Sequence, residues 1–264
     1  MIQEKRRKYL ITALINEQPQ YAGIKIPHSK HEQEKLLRSL FNIRPPLPAD
    51  NEFLTVQDDY LQEMARQKGI TTLEDLQPVL PGIYLWKGDI TTLKCDAVVN
   101  AANSRMLGCF IPCHSCIDNA IHSAAGVQLR LECAEIMKRQ GREETTGNAK
   151  ITKAYNLPCR YVIHTVGPII HGAISSQDCD LLASCYWSCM ETADRNSLKN
   201  IAFCCISTGE FHFPNDRAAE IAIQTVAKYK KQVQSNLEVI FNVFKETDYD
   251  IYRKILLSDR QAAR

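Results

Sequence analysis

The chain has 264 residues and 45% of them are apolar, so it can bury a sizeable core as one large domain or as one domain with an appendage. Its 32 basic residues nearly balance 30 acidic ones, which excludes the strongly basic surface that a nonspecific nucleic-acid binder needs. No apolar stretch approaches the roughly 20 residues of a transmembrane helix. We therefore expect neither a nucleic-acid nor a membrane partner, and a phosphate-bearing ligand would have to be held by directed backbone donors.

Residues 1–18 begin with a basic cluster, as a signal peptide does. Their apolar run, Tyr9 to Ile15, is short, however, and no small-residue cleavage site follows it. We interpret the segment as an amphipathic helix and expect a cytoplasmic protein in a reducing compartment. The 11 cysteines, which lie between Cys95 and Cys205, then favour free thiols or metal ligands over a disulfide framework.

Residues 1–78 predict a helical extension without cysteines. Ser29 is a suitable N-cap for the segment "KHEQEKLLRSLFN", and "EFLTVQDDYLQEMARQKG" ends in Lys68 and Gly69, as a helix terminus should. We find no pattern of catalytic residues in this part. It is expected to be a packing extension or an interaction surface and not a second active site.

Residues 79–264 show short apolar runs that alternate with helical patterns, which is typical of an α/β domain. Strands are predicted at "IYLWKG", "DAVVNAA", "YVIHTVGP", "NIAFCCIS" and "LEVIFNVF". Helices are predicted at "IDNAIHSAAGVQLRLECAEIMKRQG", near Asp180 to Arg195, from about Asn215, and after the last strand. Ligands of such sheets bind beyond the carboxyl ends of the strands, so we expect the site at the loops after "DAVV", "YVIHTV" and "IAFCCI".

Three small residues, Ser207, Thr208 and Gly209, follow the strand "IAFCCI". Their hydroxyls and closely approaching amides could wrap the oxygens of a diphosphate without any lysine, although an ordinary turn is an equal alternative. Phe211 could stack on a sugar or a base, or pack in the core. This loop is therefore a candidate diphosphate site.

A second candidate loop carries Asp89 after one strand, and Asn100 and Asn103 on either side of two alanines at the end of the next. Small residues between two amides let a ligand approach the backbone while the amides bind its hydroxyls. Asp89 taken alone is more typical of a turn residue or an N-cap.

The stretch "GCFIPCHSCIDNAIH", residues 108–122, concentrates cysteine and histidine. Cys109, His114 and Cys116 offer two thiolates and one imidazole, a ligand set that favours zinc over hard cations. Cys113 and Cys116 also form a Cys-x-x-Cys pair, which could be a redox dithiol, and buried thiols ahead of a helix are a third alternative. The residues alone favour the metal and leave the other two alternatives open.

Six blocks in this order, "GDIT", "DAVVNAAN", "AIHSAAG", "TGNAKITKAYNLP", "YVIHTVGP" and "ISTGEF", resemble a macrodomain over roughly residues 82–240. Hydrolytic macrodomains usually carry "GGGVDGAIH" where this chain has "GCFIPCHSCIDNAIH". The latter is similar to the loop "GCFxPxHxCID" of the zinc-dependent bacterial class, Zn-Macro. The resemblance implies a three-layer α/β/α sandwich with a central mixed sheet at residues 79–264, preceded by the helical extension.

The resemblance also implies how ADP-ribose would bind. Asp89 and Ile90 would take the adenine, and Asn103 the distal ribose. The diphosphate and the distal ribose would lie on the loop formed by Ser207, Thr208, Gly209, Glu210 and Phe211.

One zinc ion is implied as the cofactor, bound by Cys109, His114 and Cys116, with Cys113 spare. Three protein ligands leave an open fourth position, which is the pattern of a catalytic zinc site. His122, one helical turn further along, is expected to be packed in its helix and not to be a ligand.

The implied activity is the removal of mono-ADP-ribose from a modified protein, with linkage to Asp or Glu. Asp118 aligns with the aspartate associated with hydrolysis and would position or deprotonate the attacking water, while Asn103 would hold the ribose hydroxyls. Zinc would orient the ribose as a Lewis acid. Asp118 could instead, or in addition, be the N-cap of its helix.

A macrodomain fold does not by itself imply catalysis, so a non-catalytic ADP-ribose reader with a pocket-shaping zinc is the alternative function. A zinc-module adaptor is disfavoured because the sequence lacks a second ligand cluster. By analogy with the family, the acceptor would be a lipoyl-carrier protein modified by a sirtuin-like ADP-ribosyltransferase. The protein is expected to be a monomer.

Overall fold

Three helices open the chain in the computed structural model, which describes the backbone of residues 1–262 and the side chains of residues 1–258. The last two residues of the predicted 79–264 domain lie outside the described part. The helices are α1 (Gln3–Asn16), α2 (Lys30–Ile43) and α3 (Asn51–Lys68). Ser29 caps α2 as predicted, because its hydroxyl accepts a hydrogen bond from the amide of Glu32 at 3.2 Å.

The three helices share an apolar cluster, and the same cluster docks them on the rest of the chain. Leu10, Leu37 and Phe53 are buried in it together with Val127, which belongs to the α/β part. The side chain of Gln57 accepts a hydrogen bond from the amide of Val127 at 2.9 Å. The extension is therefore packed on the domain that follows it by both apolar and polar contacts.

Seven strands form one mixed sheet in the order β2-β3-β9-β8-β5-β7-β6. These strands are β2 (Pro78–Leu80), β3 (Ile83–Lys87), β5 (Ala97–Ala102), β6 (Ala149–Lys153), β7 (Tyr161–Val166), β8 (Asn200–Phe203) and β9 (Glu238–Val243). Strands β2 and β6, at the two edges, are antiparallel to their neighbours, and the five between them are parallel. A separate parallel pair consists of β1 (Thr71–Thr72) and β4 (Leu93–Lys94).

Five further helices cover the sheet: α4 (Ile117–Ala125), α5 (Val127–Gln140), α6 (Ser176–Arg195), α7 (Asn215–Val233) and α8 (Glu246–Ala262). α4 and α5 pack on β5 and β6, whereas α6, α7 and α8 pack side by side as a second layer. The predicted three-layer α/β/α sandwich with a mixed sheet and a helical extension is thereby confirmed. Among the residues that the structure describes, none of the helices is both long and apolar enough to span a bilayer.

The sequence predicted one long helix from residue 117 to residue 141, and this prediction is wrong. Gly126, with φ +97°, separates α4 from α5. A Cβ at this position would lie 2.7 Å from the side-chain nitrogen of Gln57, so the glycine also allows α3 to approach. The break separates α4, which packs on β5, from α5, which packs on β6.

The Gly126→Ala variant is expected to lower the free energy of unfolding by more than Gly69→Ala does. Both positions have positive φ, which costs about 1–3 kcal/mol for a residue with a Cβ, but nothing lies within 4 Å of a Cβ at Gly69. At Gly126 the new methyl group must also displace the buried Gln57. Urea unfolding of the two variants measures the difference, and equal losses would contradict the close packing of α3.

Candidate functional site

A cleft of about 1410 Å³ lies beyond the carboxyl ends of β3, β5, β8 and β9. It brings together all the residues predicted to bind substrate or metal or to act in catalysis. These are Asp89, Ile90, Asn103, Cys109, His114, Cys116, Asp118, Ser207, Thr208, Gly209, Glu210 and Phe211. The loop after β7, which was also expected to line the site, instead supports the loop after β8.

Asp89 lies at one end of the cleft and caps a single 3₁₀ turn, Ile90–Thr92. One carboxylate oxygen accepts from the amide and the hydroxyl of Thr91, at 3.0 and 2.6 Å, and the other from Lys68 Nζ at 2.9 Å. Burial alone would raise the pKa of Asp89, but these donors outweigh it and lower the pKa below its usual value. Asp89 is thus an ionised acceptor at this end of the cleft, and it is both a turn cap and a lining residue.

The loop after β8 presents its backbone to the cleft. Ser207 is buried with φ +65°, and its hydroxyl has no hydrogen-bond partner among the described residues. A Cβ on Gly167 would lie 2.0 Å from that hydroxyl, so only glycine at the end of β7 allows this approach. Residues Thr208 to Phe211 donate no backbone N–H to an acceptor within the described part of the chain. The loop therefore offers a row of amide donors suited to an anion.

The metal loop, residues 108–116, gathers the three predicted ligands. The ligand atoms of Cys109, His114 and Cys116 all lie within 4.8 Å of one another. Burial raises the pKa of the Cys116 thiol to about 12, and the neighbouring Cys109 thiol adds to this rise. A divalent cation would reverse that balance, because it stabilises thiolates that otherwise repel each other.

His114 completes this group. Its Nδ1 is buried and has no hydrogen-bond partner among the described residues, while its Nε2 lies 3.5 Å from a carboxylate oxygen of Glu210. A histidine that ligates a metal through one ring nitrogen characteristically holds a carboxylate or a carbonyl with the other. The side chain of Glu210 therefore faces the metal loop, and the imidazole of His114 is arranged as a ligand's would be.

Cys113, by contrast, is directed to α2. Its sulfur lies 3.4 Å from the carbonyl oxygen of Lys35 and 3.3 Å from the hydroxyl of Ser39, and its amide donates to the side chain of Asn42 at 2.8 Å. The residue has φ +52°, a conformation that turns it out of the metal loop. The structure groups Cys116 with Cys109 and His114 and not with Cys113.

Asp118 is buried at the start of α4, beside the metal loop. It accepts hydrogen bonds from Asn100 Nδ2 at 2.8 Å and from Asn103 Nδ2 at 3.3 Å. Burial raises the pKa of Asp118 to about 6, against the opposing effects of Asn100, Arg130 and Asn103. A carboxylate with a pKa near neutrality can take a proton from water and release it again.

The alternative role of Asp118 as the N-cap of α4 is wrong. Cys116 is the cap, and its sulfur accepts a hydrogen bond from the amide of Asn119 at 3.4 Å. Asp118 lies in the first turn of α4, where the helix dipole favours a negative charge. Its side chain does not cap the helix and lines the cleft instead.

Sequence reasoning missed several residues that line or support the cleft. Asn100 was noticed, but its role was not: it is fully buried in β5, where a polar side chain needs a partner, and that partner is Asp118. The extension, in which no chemistry was expected, supplies one wall. Its lining residues are Glu34, Leu37, Arg38, Phe41, Tyr60, Leu61, Met64, Ala65 and Lys68.

A second group of potential metal ligands, His122, Cys133 and His164, is buried behind the cleft. Both ring nitrogens of His164 already lie within hydrogen-bond distance of polar partners, at 3.1 and 2.9 Å. His122 packs against Gly108, where a Cβ would lie 2.8 Å from its ring. Neither ring nitrogen of His122 has a hydrogen-bond partner among the described residues, and its Nε2 lies 3.5 Å from a carboxylate oxygen of Asp118. His122 is buried in α4, away from the metal loop's ligand group.

Comparison with known proteins identifies the family of this chain. The Macro domain model matches residues 99–222. A protein-ADP-ribose hydrolase of Treponema medium is 56% identical over 260 residues, which are 97% of this chain and 100% of the relative. A protein-ADP-ribose hydrolase of Staphylococcus aureus is 51% identical over 258 residues, which are 97% of both chains. The crystal structure of a Trypanosoma brucei macrodomain in complex with ADP-ribose superimposes with a TM-score of 0.63 at 32% identity, over 87% of this chain and 97% of that one.

The buried His164 is expected to make stability depend on pH. Burial lowers the pKa of His164 to about 3. Below about pH 6.5 the unfolded chain therefore binds a proton that the folded protein does not, so the free energy of unfolding falls as the pH falls toward about 3. His164→Asn should remove this contribution and make the slope between about pH 6 and pH 5 smaller, by up to about 1.4 kcal/mol per pH unit.

Urea unfolding of the wild type and the variant at these pH values measures the slope. His171→Asn, at an exposed histidine, is the control and should keep the wild-type slope. Identical slopes in all three proteins would show that His164 takes up its proton without unfolding.

Proposed function

Because this chain belongs to the macrodomain family and is a hydrolase, we propose that it releases mono-ADP-ribose from ADP-ribosylated proteins and uses one zinc ion to do so. The observation that carries the proposal is the meeting of a buried carboxylate, Asp118, with the ligand group of the metal loop in one cleft. A reader of ADP-ribose needs no such base, whereas a hydrolase needs one beside the bond that it breaks.

The two ends of the cleft suit the two ends of ADP-ribose. Asp89 is an ionised acceptor for the adenine amino group, next to the apolar Ile90. The unused amides of Thr208 to Phe211 would bind the diphosphate, which explains how a chain with almost no net charge holds an anion. The distal ribose would then lie between this loop and the metal loop, where Asn103 can reach its hydroxyls.

The metal loop fits a zinc ion by the chemistry of its donors. Two crowded thiols and a buried imidazole nitrogen without a partner form a soft ligand set, and Glu210 is placed to hold the outer nitrogen of His114. When bound, the ion would supply Lewis-acid stabilisation to an oxygen of the distal ribose.

The side chains of the cleft account for the proton transfer in the reaction. Asp118 takes a proton from water as the water oxygen bonds to the anomeric carbon of the distal ribose. The bond from that carbon to the acceptor's carboxylate oxygen breaks, the acceptor leaves as a carboxylate, and the proton passes from Asp118 to solvent. Attack on the adjoining ester carbon would give the same products. Asn100 and Asn103 hold the Asp118 carboxylate in a fixed orientation throughout.

We assign the linkage to Asp or Glu because a carboxylate leaves without taking a proton, so that one base, Asp118, suffices. The family analogy suggests a lipoyl-carrier protein as the acceptor. Incubation with an ADP-ribosylated lipoyl-carrier protein and with a Ser-linked substrate would separate these assignments, and faster release from the Ser-linked substrate would overturn the carboxylate linkage.

Asp118→Asn is expected to lower the rate of ADP-ribose release by about 10²- to 10⁴-fold, because it removes the base and keeps the shape of the side chain. The affinity for free ADP-ribose, measured by calorimetry, should change little. Asp216→Asn, at an exposed aspartate of α7, is the matched control and should behave as the wild type. A wild-type protein that binds ADP-ribose but releases none from modified protein would favour the reader.

The zinc assignment makes a prediction about three cysteines of one loop. Cys109→Ser and Cys116→Ser should each lose the metal and most of the activity, whereas Cys113→Ser, at the cysteine that faces α2, should retain about one zinc ion per chain. Elemental analysis of the purified proteins measures the metal. Chelator treatment should inactivate the wild type, and added zinc should restore it; full activity of the metal-free protein would show that the ion is dispensable.

A further inference from the structure

The metal loop has little structure of its own. Of the backbone hydrogen bonds in the described chain, the one that joins two residues of this loop runs from the amide of His114 to the carbonyl of Ile111, at 3.2 Å. The three ligands are spread over the loop from Cys109 to Cys116. A segment of this kind loses conformational freedom when it gathers three ligands, so neighbouring elements must hold it in place.

Arg38 of α2 makes the most direct contact with the loop. Its Nη2 donates to the backbone carbonyl of His114 at 2.9 Å, and its Nε and Nη2 donate to the side-chain oxygen of Asn119 at 3.1 and 2.8 Å. The planar guanidinium thus fixes a ligand residue and the first turn of α4 at the same time.

Asn119 extends this contact to the rest of the loop. Its side-chain nitrogen donates to the carbonyl of Ile111 at 3.0 Å, and its amide donates to the sulfur of Cys116 at 3.4 Å. Asn119 is fully buried, so its orientation is determined by these bonds and by Arg38. Arg38 therefore acts on two of the three ligand residues, His114 directly and Cys116 through Asn119.

Two more side chains anchor the loop to α2. Asn42 accepts from the amide of Cys113 at 2.8 Å and holds that residue at positive φ. Arg130, on α5, donates to the carbonyl of Leu107 at 2.7 Å, lies over the ring of Phe110 at 4.2 Å, and donates to the carbonyl of Phe41 in α2 at 3.1 Å. The loop is held at its start, its middle and its end.

We propose that α2 of the N-terminal extension is the scaffold of the metal loop and that Arg38 is a positioning residue for His114 and Cys116. The zinc part of this inference rests on the proposed function. Docking of the extension does not depend on Arg38, because its apolar cluster and the contacts of Gln57 with α5 lie elsewhere on the helices. Loss of Arg38 should then loosen the loop without detaching the extension.

The test compares Arg38→Met and Arg38→Lys with Arg66→Met, a control at an exposed arginine of α3 whose ion-pair partner, Glu63, is in its own helix. Hydrogen–deuterium exchange reports on the loop, and competition with a chromophoric chelator reports on zinc affinity. Arg38→Met should speed exchange at the amides of Cys113 and His114, which have hydrogen-bond acceptors, by about 10- to 100-fold. Hydrogen bonds to a charged group oppose loop opening by about this factor. Zinc should bind about 10- to 100-fold more weakly.

Arg38→Lys keeps the charge but not the fork, so both effects should be intermediate, and the control should match the wild type. If Arg38→Met does not fold, Asn42→Ala, which frees the amide of Cys113, takes its place in both measurements. The inference would be overturned if the loop of Arg38→Met exchanged at the wild-type rate. It would also be overturned if that loop exchanged faster while zinc affinity stayed unchanged. A wild-type protein that binds no zinc would refute the metal part of the proposed function, while the exchange data would still decide whether α2 holds the loop.

Discussion

The carboxylate of Asp118 is buried, and the arrangement of the side chains around it is set by the hydrogen bonds that a buried charge requires. A buried carboxylate requires hydrogen-bond donors, and Asn100 in the interior strand β5 and Asn103 just after it provide them. Asn100 is itself fixed by His164 of the neighbouring strand, whose Nδ1 lies 3.1 Å from its amide. The parallel order of β5 and β7 therefore determines the position of the group to which we assign the chemistry.

The remainder of the cleft is lined by backbone amides on one side and by side chains of the metal loop and the extension on the other. The loop after β8 presents amides without an acceptor among the described residues, and such amides can bind an anion without a cluster of basic side chains. The metal loop carries two thiols and an imidazole, and side chains of α2 form hydrogen bonds with it. The extension is thus part of the site: Arg38 contacts the metal loop, and Lys68 holds Asp89 at the opposite end.

Short local motifs made most of this architecture predictable. Residues that follow strand ends, such as Asn103 and Ser207, converge because parallel strands bring their carboxyl ends to one edge, and the sequence patterns of those strands are strong. Asp118, at the start of α4, joins them because α4 packs on β5. Contacts between distant elements were not predictable. Arg38 and Asn119 are separated by 81 residues, and the sequence of an amphipathic helix does not distinguish an arginine that contacts another element from one exposed to solvent. The break at Gly126 was missed because apolar periodicity continues across it, and the cap at Cys116 because sulfur is a weak acceptor that competes poorly with aspartate in such predictions.

We propose that ADP-ribose and a metal held by Cys109, His114 and Cys116 meet in one cleft. Cobalt substitution tests it most directly, because thiolate ligands give cobalt charge-transfer absorption in the near ultraviolet and its visible bands respond to changes in coordination. We expect thiolate absorption in the cobalt protein and a change in its visible bands that saturates with added ADP-ribose. Absence of thiolate absorption, or visible bands that do not change when ADP-ribose binds, would contradict this proposal.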